Sequence, residues 1–155
     1  MSLENGDLID KSLIDGLDEP VEQITTHLSN LFLTRDKVYK LKLSQRLPFV
    51  DQSTPALRRA LCVAECTLNQ RLTPGVYLGV VPLCRNADGR LSFGAPLELD
   101  AGSDATDGDN VVDYAVLMNR IRAPLLSDVI GNNDCDPEGA PPLPRNIDSD
   151  ALFNI

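Results

Sequence analysis

The stretch DKVYKLKLSQRLPFVDQSTPALRRALCVAECTLNQRL, residues 36–72, decides how this chain is expected to fold. It opens with apolar and aromatic residues alternating with Lys40 and Lys42, the pattern of a strand with one apolar and one charged face. It continues into a helix whose start is marked by Thr54, a good N-cap, and by Pro55, favoured at the first helical position. The helix runs to about Leu72, where Thr73, Pro74 and Gly75 stop it. Leu57, Leu61, Leu68 and Leu72 recur at helical spacing, and Glu65 falls within their rhythm, which predicts a core-facing stripe with a glutamate on it. A charge facing a core is costly unless it meets an opposite charge or a ligand. Lys40 and Glu65 are therefore expected to approach within about 4 Å. Lys42 is expected on the same side but wetter.

On either side of this stretch the patterning changes. Residues 7–17, DLIDKSLIDGL, space their apolar side chains as a short amphipathic helix, so residues 1–20 form an N-terminal helical segment. From Val21 the run VEQITTHLSNLFLTRDKVYKLKL predicts three short antiparallel strands joined by tight turns. VYLGVVPLC is a further strand, RNADGR a turn, LSFGAPLEL an extension of that hairpin, and VVDYAVLMNRI a last apolar strand. The expected fold class is α+β, an antiparallel sheet of about five strands with one major packed helix, occupying residues 21–122. ELDAGSDATDGDN is a solvated loop, and residues 123–155, rich in Pro, Gly, Asn and Asp, form an irregular tail.

Composition narrows the function. The net charge is −9 at pH 7, aromatic residues make up 5% and Trp is absent. Such a chain is a poor partner for phosphate backbones, anionic membranes or stacked bases, so neither nucleic acid nor membrane is expected to bind. It contains no apolar run of about 18 residues and no signal-peptide pattern at its start, which points to the cytoplasm. The four cysteines form no C-x-x-C pair. They are read as reduced, with Cys62 and Cys66 as buried structural thiols, and no metal site is expected.

The segments VEQITTHLSNLFLTRDKVYKLKLSQRLPFVDQST, AECTLNQRL, VYLGVVPL and DYAVLMNRI together resemble the aminoglycoside phosphotransferase-like kinases. Within that group they look most like the amino-terminal kinase-like half of bacterial two-part proteins whose other half is a gluconokinase-like P-loop ATPase. The resemblance spans roughly Leu8 to Ile121 and implies a protein-kinase-like N-lobe that binds ATP. On it, Lys40 matches the phosphate-contacting lysine and Glu65 its ion-pair partner. Thr26, His27 and Ser29 fall at the phosphate-covering turn, where backbone N–H groups or hydroxyls would donate to ATP. Val116, Leu117 and Met118 fall at the hinge, where backbone groups would read the adenine edge.

The family also needs an acceptor base and magnesium carboxylates, which it carries on a second lobe. His27 is the only histidine, so the family's His-x-Asp motif is not in this sequence, nor is a G-x-x-x-x-G-K-[ST] loop. No catalytic residue is therefore assigned, and Mg²⁺ ligands are expected on the other lobe. The leading expectation is an ATP-binding lobe of a small-molecule phosphotransferase, inactive or weak alone. The alternatives are a non-enzymatic protein-interaction module and a degenerate remnant that keeps the fold. A lobe without its mate is also expected to pair with a protein partner or a second copy through an exposed apolar lower face.

Overall fold

The computed structural model describes residues 9–97 and 108–122. A 3-10 turn, Lys11–Leu13, leads into β1, Ile14–Asp15. Then come β2 (Glu22–Thr25), β3 (Ser29–Leu33), β4 (Lys37–Lys42), and the short hairpin β5 (Arg46–Leu47) and β6 (Val50–Asp51). Helix α1 spans Pro55–Gln70 and is followed by β7 (Tyr77–Arg85), β8 (Leu91–Phe93) and β9 (Val111–Asn119). Thr54 caps α1, its hydroxyl accepting from the Leu57 N–H, and Pro55 opens the first turn as its fixed φ favours.

The main sheet has seven strands in the order β1-β8-β7-β9-β4-β3-β2. This overturns the expectation of an antiparallel sheet of about five strands: the described residues are mostly β, their main sheet is mixed, and one α-helix accompanies it among them. The parallel pair comes from β1, which lies beside β8 with Ile14 opposite Leu91. A two-residue strand is too short to show periodicity, so DLIDKSLIDGL is legible only by its helix-like spacing. Its described part is instead a 3-10 turn and a sheet edge, fastened where Arg90 Nε donates to Asp15 at 2.6 Å. Residues 46–51 form the short β5–β6 hairpin. The acidic loop centred on residues 98–107 and the tail 123–155 lie outside the described residues.

Alternation sorts the side chains onto two faces of the sheet. Phe32, Leu41, Val81, Leu83 and Ala115 pack with Ile9, Ile14 and Val21 on the first, with Tyr39 stacked on Phe93 at 4.4 Å between ring centroids. On the second, Val80, Tyr114 and Val116 meet Cys62 and Cys66 of α1. Burial pushes the Cys62 thiol up to about 12 and the Cys66 thiol up to about 11, so both stay protonated and inert at neutral pH.

The inward face of α1 differs from the leucine stripe expected. Its fully buried residues are Arg58, Cys62 and Cys66, whereas Leu57, Leu68 and Leu72 are 40%, 61% and 78% exposed. Polar anchoring decides the orientation. Arg58 Nε donates to both oxygens of Asp113, at 2.8 and 3.0 Å, and Nη1 donates to the Gln52 carbonyl at 2.9 Å. Gln52 is buried too, and its side chain donates to the carbonyls of Leu28 and Leu43. Turning the leucines inward would strand an arginine and an aspartate without partners, which costs more than leaving leucines in water.

Asp113→Asn is expected to lower unfolding free energy by about 3–5 kcal/mol, because it leaves Arg58 buried without a counter-charge. Guanidinium titration followed by circular dichroism measures this. Cys62 and Cys66 are expected to react with an aromatic disulfide reagent at pH 8 only on the timescale of unfolding.

Candidate nucleotide site

Lys40 and Lys42 sit two residues apart on β4 and so project to one face, opposite Leu31 and Ser29 of β3. Glu65 lies on the flank of α1 between the buried Cys62 and Cys66 and the outward leucines, which aims its carboxylate at that face. The result is a three-charge bridge. Lys40 Nζ reaches Glu65 Oε1 at 2.7 Å, and Lys42 Nζ reaches Oε2 at 2.7 Å. The Lys40–Glu65 pair expected from the sequence is formed, and Lys42 shares the same carboxylate.

The expected wetness of the lysines is reversed. Lys42 is 10% exposed and Lys40 is 30% exposed. Lys42 lies nearer the covered end of the sheet, where the Leu43 N–H donates to Leu28 and the Gln52 side chain closes over both carbonyls. Burial alone would raise the Glu65 carboxyl, but the hydrogen bonds from Lys40 and Lys42 outweigh it and hold the group below the usual glutamate range. Two ammonium groups against one carboxylate leave a net positive charge on this face. Lys40 is the more accessible of the two.

The Thr26–Ser29 turn joins β2 to β3 beside this cluster. Thr26 N–H and the Thr26 hydroxyl both donate to the Ser29 carbonyl, and the Ser29 N–H donates back to the Thr26 hydroxyl oxygen at 3.0 Å. The donors expected to meet phosphate from Thr26 and the Ser29 backbone are thus committed to closing the turn, and Ser29 is buried. His27 is exposed at the tip, and its carbonyl accepts from Gln45 Nε2. Gln45 and Gln52 therefore tether this turn to the segment that leads into α1.

Val116, Leu117 and Met118 lie within β9, not beyond its end. Val116 is paired with Lys40 of β4 and Val80 of β7, and Leu117 with Tyr39 and Gly79. With ladders on both sides, their backbone groups do not face an adenine edge, contrary to expectation. Their side chains divide between the two faces: Val116 and Met118 pack on the α1 side, whereas Leu117 belongs to the other core. Only Val116 and Met118 share the face of Lys40, and Val116 stands directly across from it. At the end of the strand Asn119, and just past it Arg120, donate their N–H groups to the carbonyls of Val76 and Asp36. The polar network of Gln45, Gln52, Arg58 and Asp113 escaped sequence reasoning. Its only signal was an arginine on the helix and an aspartate in an apolar strand.

No protein family, curated protein or solved structure matches the chain.

Glu65→Gln is expected to cost about 2–3 kcal/mol at pH 7, less than a fully buried pair because Lys40 remains partly hydrated. A carboxyl held low in the folded state stabilises above the unfolded glutamate range and loses that contribution as pH falls through its folded value. The gap between wild type and Glu65→Gln should therefore be widest near neutrality and close in acid. Urea titrations in a pH series measure it.

Proposed function

We propose that this chain binds ATP as part of a small-molecule phosphotransferase of the aminoglycoside phosphotransferase type. The observation that carries the reading is the Lys40–Glu65–Lys42 bridge. A helix carboxylate fixes a strand lysine without fully burying it, and the surplus cation on that face suits an anionic phosphate chain. Lys40 would contact phosphate oxygens, Glu65 would hold it in place, and Lys42 would keep Glu65 ionised when Lys40 turns to the ligand. Met118, half-buried on the same face, offers apolar area for the adenine ring. His27 would meet the outermost phosphate from the tip of the tethered turn.

ATP brings its own charge and, with Mg²⁺, the transferable phosphoryl group. The roles assigned to this chain are limited to binding and orientation. No acceptor, acid or base is assigned among the described residues. A cytoplasmic setting suits the reading, since Cys62, Cys66 and Cys84 are all free thiols. No helix among the described residues is long and apolar enough to cross a membrane. The second reading, a protein-interaction module, is favoured by the outward leucines of α1.

The test is calorimetric titration of ATP with Mg²⁺ into the wild type and into Lys40→Ala. The variant is expected to bind at least about tenfold more weakly, a loss of about 1.4 kcal/mol or more. Its melting temperature should change little, because Lys42 still satisfies Glu65. Equal affinity in the two proteins would reject the nucleotide reading.

A further inference from the structure

Helix α1 is apolar on both sides. With about 100° of rotation per residue, Leu57, Leu61, Ala64 and Leu68 fall in one band on the side opposite Cys62 and Cys66, and Leu72 follows just past the helix end. Leu57, Leu68 and Leu72 are 40%, 61% and 78% exposed, and Ala56, Ala60 and Ala64 beside them are exposed as well. Scattered surface leucines need no explanation, but a continuous band along a whole helix does. Its 4, 3, 4 spacing is that of a helix-pairing seam, and the alanines at four-residue intervals form a low ridge that lets a second helix come close.

Charge selects the occupant. The chain has 23 acidic residues against 14 Lys and Arg. Yet between Thr54 and Leu72 the only acid is Glu65, and it is turned away onto Lys40 and Lys42. Two copies of so acidic a chain repel over most of their surfaces, and this band is where they approach without that penalty. The band also fits itself when the second helix runs antiparallel. About an axis level with residues 62–63, Leu57 meets the partner's Leu68 and Leu61 meets the partner's Ala64, large against small. Exposed Arg71 is carried to the partner's helix start, near the partner's Asp51. Within one chain Asp51 pairs with Arg46, whose side chain is 80% exposed. Among the described residues the two most exposed large apolar side chains, Phe49 and Leu72, both at 78%, flank opposite ends of α1. Antiparallel pairing brings them to the same end.

We propose that α1 is a self-association surface, and that its outward leucine band pairs antiparallel with α1 of a second copy of this chain. This is a different face from the lower one suggested by the sequence, and it does not depend on the nucleotide reading. An interface of one helix per side is small, so a dissociation constant on the order of micromolar is expected.

Sedimentation velocity of the full chain from about 1 to 200 µM should show a monomer–dimer equilibrium across that micromolar range. Leu68→Glu should weaken it at least about 100-fold, because a carboxylate would be buried against the partner's Leu57. Leu57→Lys should do the same. Both sites are exposed in the monomer, so circular dichroism should remain that of the wild type. Mixed together, the two variants should form a heterodimer, with the introduced ammonium of one facing the introduced carboxylate of the other, a contact only the antiparallel register makes. Lys40→Ala should sediment as wild type, which separates this surface from the nucleotide site. A wild type that stays monomeric, a dimer indifferent to Leu68→Glu, or variants that fail to pair when mixed would each overturn the proposal.

Discussion

The structure depends on how Arg58 is satisfied. Its guanidinium is held between the Asp113 carboxylate on β9 and the Gln52 carbonyl just before α1. Once Arg58 points inward, Cys62 and Cys66, one and two turns further on, face the same way. Glu65 then arrives at the flank over β4, within reach of both lysines. The leucines are left on the far side. A single buried pair thus fixes the charged site and the apolar exterior together.

Asp113 is the costly member of that pair. Burial pushes its carboxyl up, while the Arg58 guanidinium and the Tyr114 N–H, which donates to it at 2.8 Å, act against the rise. A buried ion pair contributes little net stability compared with a well-packed apolar contact, but breaking one is expensive. That asymmetry suits a helix whose inward face carries Arg58, Cys62 and Cys66 while its leucines face outward. Packing alone would favour leucines inward over cysteines inward. The ion pair makes the alternative rotation too costly to adopt.

Much of this was legible in the sequence where local chemistry is unambiguous. Thr54 and Pro55 begin the helix by stereochemistry, the strands β2, β3 and β4 follow partial alternation, β7 and β9 stand out as apolar runs, and Lys40 and Glu65 announce each other as charges in apolar surroundings. Spacing could not tell which apolar face of α1 turns inward, because leucine outranks cysteine on hydrophobicity while the decisive partner of Arg58 lies fifty-five residues away. The parallel β1 edge was invisible because two residues carry no period. The relative burial of Lys40 and Lys42 depended on Gln52, whose side chain gives no sign in the sequence that it covers the end of β4. The ladder around Val116 and Leu117 shows why alignment to a hinge position does not expose a backbone: those groups are already paired.

The place of β9 in the sheet bears on how the chain comes to be folded. It is the last strand in sequence among those described, yet it lies between β7 and β4 near the middle of the sheet. As the polypeptide leaves the ribosome, β2, β3 and β4 can zip together through short turns, and β7 with β8 likewise. Until residue 119 emerges, the two hairpin assemblies have no strand to join them, and each displays an unpaired edge. Asp113 arrives with that same strand, so Arg58 also waits for its counter-charge. Joining the two assemblies therefore waits for β9, and the nascent chain is most open to wrong pairing until that strand emerges.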